Sequence, residues 1–254
     1  MEAVEEIRIQ QEITANEFFH DFLLFLHEAA RQPFRLTEKG NLRLGDIHFF
    51  GEHFHQDIYH RHIDGEQWYV RSETDVPPLR RLRLIAQAMR LTEIRQRKLL
   101  LSIRGKAYLA DTSPKNQFEQ LVLWYLHRYD WTEWYPHRAE IAAVLQQSQR
   151  FLWRYFLYRK NSKIDFIRFL SGVREYFGLD ALSDEPYFSS SVQWAVAQIL
   201  VRDLRLFGLL SVDSVKRGNF ITDETIHSFQ PTTLGVHIFE LALTQQGKGE
   251  SAVS

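Results

Sequence analysis

The sequence predicts a mostly α-helical protein with short β-hairpins. Apolar residues recur mainly at the three- and four-residue spacing of amphipathic helices. Only 12 glycines and 7 prolines are available to interrupt regular structure, which favours long helices over many strands and turns. Hydrophobic residues make up 44% of the 254 residues and charged residues 25%, which is the balance of a folded chain with one or two domains.

The beginning of the chain contains two predicted helices. Thr14 and Glu17 have the spacing of a capping box, in which each side chain bonds the backbone of the other residue, and they predict a helix over 17–31. Apolar residues at helical spacing predict the next helix over 44–55.

A hairpin with a basic tip is predicted in the next part of the chain. Residues 64–65 are Asp-Gly, which is typical of a tight turn, and residues 67–71 have the composition of a strand. Two prolines at 77–78 are expected to begin a helix over 79–90. A short antiparallel hairpin over 91–103 follows it.

The remainder of the chain is predicted to be helical with one longer hairpin. A Ser-Pro pair at 113–114 has the composition of a helix N-terminus, and helices are expected over 113–180. Another helix is expected to end at Phe207 and to lead into a hairpin over 211–230. The polar residues from Gln245 onward are expected to form a flexible tail.

The net charge of −1 conceals a strong polarity along the chain. Residues 1–30 carry seven acids and one base, whereas residues 79–106 carry nine bases and one acid. The local net charges are therefore −6 and +8. Such asymmetry indicates that these two segments bind charged partners, or that they bind each other.

Composition excludes several kinds of site. Because the chain contains no cysteine, disulfides, thiolate metal sites and a cysteine nucleophile are absent. No run of 18 apolar residues is present, and the first ten residues are too acidic for a signal peptide. We therefore expect a cytoplasmic protein that does not bind a membrane.

The two halves of the chain share a local pattern. In the first half a helix ends at residues 89–91, a hairpin follows, and residues 102–105 (Ser-Ile-Arg-Gly) begin a new helix. In the second half a helix ends at residues 207–210, a longer hairpin follows, and residues 233–235 (Thr-Leu-Gly) begin a helix. The hydroxyl residue suits a helix N-cap, and the glycine permits close packing of the helix.

This order of helix, hairpin and capped helix resembles the winged helix-turn-helix superfamily. The resemblance covers residues 75–112 and 190–243. It implies that the helices over 79–90 and 196–207 are recognition helices and that residues 95–98 form a wing tip. The fold implied is two winged-helix modules bridged by a helical, aromatic-rich middle.

The resemblance also implies a division of the chain into domains, and the sequence differs from the family pattern at two places. The expected division is residues 1–112 for the N-terminal helices and first module, 113–180 for bridging helices, 186–245 for the second module, and 246–254 for the tail. Arg90 stands where a glycine is common, and the second wing is unusually long and contains Asp213, Asp223 and Glu224. Residues 36–41 (Leu-Thr-Glu-Lys-Gly-Asn) also loosely resemble an uncharacterised group of bacterial proteins, a likeness that implies no activity.

A basic surface in the first module is the leading candidate site. The residues expected to form it are Arg80, Arg83, Gln87 and Arg90 on the helix, with Arg95, Arg97 and Lys98 at the hairpin tip. Such cations can neutralise phosphates while a helix in the major groove reads base edges. The sequence therefore favours a non-enzymatic nucleic-acid-binding protein, with duplex DNA the expected ligand and regulation a candidate role.

Two other interpretations of the basic surface remain open. It could bind an acidic protein partner, making the chain a winged-helix adaptor in a larger assembly, or this chain's own acidic N-terminal segment. It could also be a solvated face without a special role. The second recognition-helix position offers Arg202 and Arg205 with Asp203 between them, which suits a protein interface better than DNA.

Histidines and aromatic residues form two further clusters. Five histidines (His48, His53, His55, His60 and His62) lie near Glu52, Asp57 and Asp64, and such side chains can bind zinc or nickel. Their spacing fits no zinc motif, so surface histidines without a metal are favoured. The aromatic run Trp124, Tyr125, Tyr129, Trp131, Trp134 and Tyr135 could stack bases, although its helical spacing favours core packing.

The sequence contains no motif for catalysis. It has no Gly-x-Ser-x-Gly elbow and no glycine-rich phosphate loop, and we expect neither enzymatic activity nor a cofactor. The target sequence, the effector, the pathway and the oligomeric state remain open at this stage.

Overall fold

The computed structural model describes residues 2–56, 62–63, 66–67, 70–111, 113–182, 188–216 and 224–250. About 68% of the structure is helix and 12% is strand, and two small three-stranded antiparallel sheets are present. The prediction of a mostly helical protein with short hairpins is confirmed. The chain forms two compact units, one over Ile13–Tyr125 and the other over Leu126–Ser254 together with Met1–Glu12.

The first helix and the unit over Ile13–Tyr125 contain most of the elements expected in the first half. In chain order they are α1 (Glu2–Thr14), α2 (Glu17–Arg31), β1 (Phe34–Arg35), α3 (Leu44–His53), β2 (His62–Ile63), β3 (Glu66–Gln67), a 3₁₀ turn (Glu73–Asp75), α4 (Pro77–Ala88), β4 (Thr92–Arg95), β5 (Lys98–Leu101), α5 (Ile103–Ala110) and α6 (Pro114–His127).

The sheet of this unit is held against an aromatic core. Its order is β1-β5-β4, with all pairs antiparallel. The amphipathic helix α2 packs against α4, α5 and β5. Phe25 of α2 contacts Phe34 of β1 and Phe50 of α3 with ring centroids 5.9 and 5.5 Å apart. Burial of these large apolar side chains is the main stabilising term for the unit.

The unit over Leu126–Ser254 repeats this arrangement with longer strands. Its elements are α7 (Trp131–Trp134), a 3₁₀ turn (Pro136–Arg138), α8 (Ala139–Gln147), α9 (Gln149–Tyr158), β6 (Ile164–Asp165), α10 (Phe166–Tyr176), a 3₁₀ turn (Leu179–Leu182), α11 (Phe188–Val196), a π-helical segment (Ala197–Arg202), α12 (Asp203–Leu206), β7 (Leu210–Lys216), β8 (Glu224–Pro231) and α13 (Thr233–Glu250).

The second sheet has the same strand order as the first. Its order is β6-β8-β7, with a short strand paired to the second hairpin strand, and the hairpin contains a bulge at Asp213/Ser214. Helix α13 packs against α9, where Trp153 stacks on Phe239 at 5.0 Å. Both side chains are fully buried.

A set of equivalent hydrogen bonds joins helix, hairpin and following helix in the first unit. Ser102 N donates to the Leu91 carbonyl at 2.9 Å, and Ser102 Oγ donates to the Arg90 carbonyl at 2.6 Å. Gly105 N donates to Ser102 Oγ at 2.9 Å, which caps α5. A Cβ at Gly105 would lie 2.1 Å from the Leu91 carbonyl oxygen, so only glycine fits without displacement.

The same hydrogen bonds occur in the second unit. Thr232 N donates to the Leu209 carbonyl at 3.1 Å, Thr232 Oγ1 donates to the Gly208 carbonyl at 2.7 Å, and Gly235 N donates to Thr232 Oγ1 at 2.9 Å. A Cβ at Gly235 would lie 2.0 Å from the Leu209 oxygen. The capping residue is thus Thr232 and not the expected Thr233, and both copies have a Ser/Thr-x-x-Gly spacing.

Several predicted boundaries are wrong. Thr14 does not begin the helix over 17–31, because residues up to Thr14 are themselves helical and Asn16 is the N-cap, its Oδ1 accepting from Phe19 N at 2.8 Å. The helix expected over 79–90 is α4, which ends at Ala88 because Arg90 has a left-handed backbone with φ of 59°. The backbone expected to be a flexible tail continues α13 to Glu250.

The bridging region expected over 113–180 is not a separate compact unit. The boundary between the units falls at Tyr125, within α6, and the helices after it belong with the second sheet. The aromatic run was expected to pack in a core, and Tyr125, Tyr129, Trp131 and Tyr135 are buried. The turn expected at residues 64–65 lies outside the described residues.

Both close glycine contacts give a stability prediction. We expect Gly105→Ala and Gly235→Ala each to lower the free energy of unfolding by about 1–3 kcal/mol, because the added Cβ must displace a buried carbonyl. Chemical denaturation measures the effect.

A matched control is available in each unit. Gly45→Ala in α3 and Gly172→Ala in α10 place a Cβ in open space, and each should raise stability by up to about 1 kcal/mol. Equal effects at all four glycines would contradict the role of the close contacts.

Candidate nucleic-acid interface

Helix α4 forms the centre of the basic surface. Pro77 lies at its first position, and Leu79, Leu82 and Ile85 form a fully buried apolar stripe. Arg80 lies on the opposite, exposed side. The helix therefore forms where the sequence predicted it and presents one of the expected cations to solvent.

Arg83 is not on the exposed face, and this part of the prediction is wrong. Its residue exposure is only 6%, and its Nε donates to Oε1 of the fully buried Glu73 at 2.5 Å. Nη1 donates to Gln87 Oε1 at 2.7 Å, and the second Glu73 oxygen accepts from Leu42 N at 2.8 Å. The guanidinium is thus committed to an internal ion pair, and the half-buried Gln87 is engaged with it.

Arg90 lies at the junction between α4 and the hairpin. Its φ of 59° is in the left-handed region, where a side chain is disfavoured by about 1–2 kcal/mol. The equivalent residue in the second unit is Gly208, with a φ of 70°. The Arg90 side chain is exposed, so the unfavourable backbone places a cation at the surface.

The hairpin turn has a second arginine in the same backbone region. Gln96 and Arg97 occupy the two central turn positions with φ of 50° and 59°, which is the pattern of a type I′ turn. Arg95 and Lys98 pair across the turn. All four side chains are exposed, so the tip presents three cations.

Existing ion pairs at the hairpin are weak. Arg95 contacts Glu93 at 2.9 Å and Arg97 approaches Glu38 at 3.8 Å, and all of these side chains are substantially exposed. Exposed pairs of this kind contribute at most about 1 kcal/mol. In the described part of the chain, no hydrogen bond or ion pair engages the side chains of Arg80, Arg90 or Lys98.

Five of the seven expected residues are exposed cations, namely Arg80, Arg90, Arg95, Arg97 and Lys98. Arg104 and Lys106, outside that set, are also exposed at the start of α5. Their proximity to Arg90 follows from Ser102, whose hydroxyl bonds the Arg90 carbonyl. The Ser-x-x-Gly motif is the sequence signal that could have added them.

In the second unit, the arginines of the corresponding helix are bound by a glutamate of the hairpin. Arg202 Nε and Arg205 Nη1 donate to the Glu224 carboxylate at 3.1 and 2.5 Å, and Ser214 Oγ donates to it at 2.6 Å. Burial alone would raise the pKa of Glu224, but the hydrogen bonds from Arg205, Ser214 and Arg202 and the charge of Arg205 lower it to about 2. Both guanidinium groups are therefore bound by one carboxylate of the hairpin, which offsets one of their two positive charges.

The histidine cluster does not form a metal site in the described residues. His53 stacks on Phe49 at 4.2 Å, and its Nδ1 lies 2.7 Å from the Phe49 carbonyl. His55 bonds Oδ1 of the buried Asp21 through its backbone N and Nδ1. No group of three potential ligands occurs among the residues that the structure describes, and His60 lies outside them.

Comparison with protein families, with curated proteins and with solved structures finds no match for this chain. A search of the described helices finds none with the length and apolar character needed to cross a bilayer.

The Glu224 cluster gives a prediction about pH. Because the folded pKa of about 2 lies below the ordinary value of 4.5, the stabilisation is present above pH 4.5 and is lost as pH falls toward 2. We expect Glu224→Gln to lower the free energy of unfolding by about 2 kcal/mol at pH 7, with a difference from wild type that shrinks as pH falls to 2. Denaturant titrations across this range measure it.

The control for that measurement is Asp213→Asn on the same hairpin. Asp213 pairs with Lys163 at 3.4 Å with both side chains exposed, and its loss should cost less than about 1 kcal/mol. A Glu224→Gln effect that is independent of pH would contradict the assignment.

Proposed function

We propose that the chain is a non-enzymatic nucleic-acid-binding protein with two winged-helix modules, and that the first module binds duplex DNA. The order of elements supports this. In both units a helix, a short strand, two further helices and a hairpin follow one another, and the short strand pairs with the second hairpin strand. In the winged helix-turn-helix arrangement that this order resembles, α4 occupies the recognition-helix position and β4–β5 the wing.

The backbone conformation of two exposed arginines carries the proposal. Arg90 and Arg97 both occupy left-handed positions that favour glycine, and the second unit has Gly208 at the position of Arg90. Each arginine costs roughly 1 kcal/mol or more of stability relative to glycine. A strained residue at the surface supports a functional role for its side chain. Two of the three non-glycine residues with this backbone, Arg90 and Arg97, are cationic, and the third is Gln96.

The proposed contacts are mainly to the phosphate backbone. Arg83, one of the helix residues expected on the DNA-binding surface, is buried against Glu73. The exposed cations that remain are concentrated at the hairpin and at its junction with α4. Cations at a wing can neutralise phosphates of any sequence, so we propose sequence-tolerant duplex binding.

An adaptor role is the second candidate. It is favoured by the pairing of Arg202 and Arg205 with Glu224, because both arginines of that helix are then already bound to a carboxylate. In that role the basic hairpin binds an acidic protein partner, duplex binding is absent at moderate salt, and substitutions at the hairpin abolish the protein complex.

Salt dependence tests phosphate binding directly. We expect log K for duplex DNA to fall with log salt at about 0.9 per phosphate contact, and Arg97→Gln with Lys98→Gln to make that slope shallower by roughly 1–2 units on any duplex sequence. Fluorescence anisotropy over a range of salt concentrations provides both slopes.

The control removes two exposed cations elsewhere, with Arg128→Gln and Lys163→Gln, and should leave the slope unchanged. Absence of binding at low salt, or a slope unaffected by replacement of Arg90, Arg95, Arg97 and Lys98, would contradict the proposal.

Substitutions of Arg90 can separate an effect on protein stability from an effect on duplex binding. We expect Arg90→Gly to raise the free energy of unfolding by about 1 kcal/mol while weakening duplex binding, because it relieves the left-handed backbone and removes a cation. Arg90→Lys should retain binding, and Arg90→Ala should weaken binding without the gain in stability. Retained affinity in Arg90→Gly would remove this residue from the interface.

A further inference from the structure

A pocket opens between two helices of the second unit, α9 and α10. Its volume is about 470 Å³, within the range of sites that accept a ligand or several partner side chains. It is lined by eight residues, among them Phe151, Arg168, Gly172, Glu175 and Tyr176. All eight residues belong to these two helices, and four of them are aromatic.

Gly172 keeps this pocket open. It lies in the middle of α10, where a glycine costs about 1 kcal/mol relative to alanine. A Cβ at Gly172 would meet nothing within 4 Å, in contrast to Gly105 and Gly235. Packing therefore does not require glycine here. Arg168 and Tyr176 lie one turn to either side, about 6 Å along the helix axis, so the missing side chain leaves a notch between them.

The walls of the pocket are aromatic and unusually exposed. Phe151 and Tyr176 stack with ring centroids 4.3 Å apart, although 41% and 66% of these residues are exposed. Tyr158, two turns after Phe151 on α9, is 85% exposed. Clustered exposed apolar side chains of this kind mark interaction surfaces.

The surroundings of the pocket are basic. Residues 149–176, which span both helices, contain seven basic and two acidic residues, a local net charge of +5. Pairing of Lys163 with Asp213 and of Arg174 with Asp180 reduces this excess to +3. Arg168 at the pocket edge is exposed and has no ion-pair partner among the described residues. An occupant with an apolar face and a negative charge would complement this surface.

Helix α1 has that chemistry. Its 13 residues contain four glutamates and one arginine, a net charge of −3. Ile9 is buried, whereas Val4 and Ile7 lie three residues apart on another side of the helix with exposures of 72% and 58%. Its end is anchored, because Glu12 Oε2 accepts from Leu234 N at 2.7 Å. The helix thus presents a second, uncovered apolar face.

We propose that α1 of one copy of this chain binds the α9–α10 pocket of a second copy. Val4 and Ile7 enter the aromatic pocket beside Gly172, and the acidic helix lies against the basic surroundings. An amphipathic helix in an apolar groove is a common mode of recognition. Reciprocal exchange of the two helices gives a closed dimer with two-fold symmetry.

The oligomeric state of the full chain, measured by sedimentation and light scattering, tests the proposal. We expect a dimer whose dissociation constant rises with salt because the contact joins opposite charges. Gly172→Leu, which fills the notch, and the double variant Val4→Asp with Ile7→Asp should each raise the dissociation constant by about tenfold or more. Circular dichroism and thermal unfolding should show that both variants remain folded.

Matched controls make the same chemical changes elsewhere. Gly45→Leu fills open space on α3, and Ile103→Asp replaces another highly exposed apolar residue, so both should remain dimeric. A wild-type chain that stays monomeric at all concentrations would overturn the proposal. So would a dimer that both pocket and α1 substitutions leave unchanged.

Mixing the two variants tests whether α1, and not another partner, occupies the α9–α10 pocket. The Gly172→Leu chain retains a native α1, and the Val4→Asp, Ile7→Asp chain retains a native pocket. We therefore expect the two chains, each monomeric alone, to form a heterodimer with one occupied pocket. If the mixture remains monomeric while the wild type dimerises, the two surfaces do not bind each other and the proposal fails.

Discussion

A backbone carbonyl at the end of one helix positions the start of another in both units, and the hairpin between them depends on this contact. The Leu91 oxygen accepts from Ser102 N and lies against Gly105, and the Leu209 oxygen makes the same contacts with Thr232 and Gly235. No side chain fits at either glycine. The two ends of the hairpin are therefore brought to one place, and the strands between them must pair.

This contact also explains why the basic surface of the first unit is ordered. Ser102 holds the Arg90 carbonyl, so the residue that leaves α4 and the residue that begins α5 are linked directly. Arg97 is held similarly, because its carbonyl accepts from Leu36 N next to β1 at 2.8 Å. Both strained arginines thus lie at backbone positions fixed by hydrogen bonds, which is the condition under which an unfavourable conformation persists.

The sequence predicts the parts of the fold that local patterns control. The Ser102–Gly105 spacing and the two prolines at the start of α4 specify helix starts through chemistry within a few residues. The burial of Arg83 could not be predicted in this way, because its partner Glu73 lies ten residues earlier in the chain. Glu73 in turn accepts a hydrogen bond from Leu42, which lies another 31 residues earlier. Helix α1 was missed because its apolar residues are few and lie on two different sides.

Both units contain arginine–glutamate ion pairs, but these pairs involve different parts of the surface in the two units. In the first, a buried glutamate before the helix removes Arg83 from the surface, and the hairpin cations have only weak, exposed ion pairs. In the second, Glu224 on the hairpin itself binds both arginines of the helix and offsets part of their charge. A charge count along the sequence does not distinguish these arginines. Only exposed and weakly paired arginines can contact a polyanion and release its counterions. The distinguishing feature of the first unit is therefore its hairpin and not its helix. In the proposed complex with duplex DNA, a surface of that kind would recognise charge and spacing more strongly than base identity.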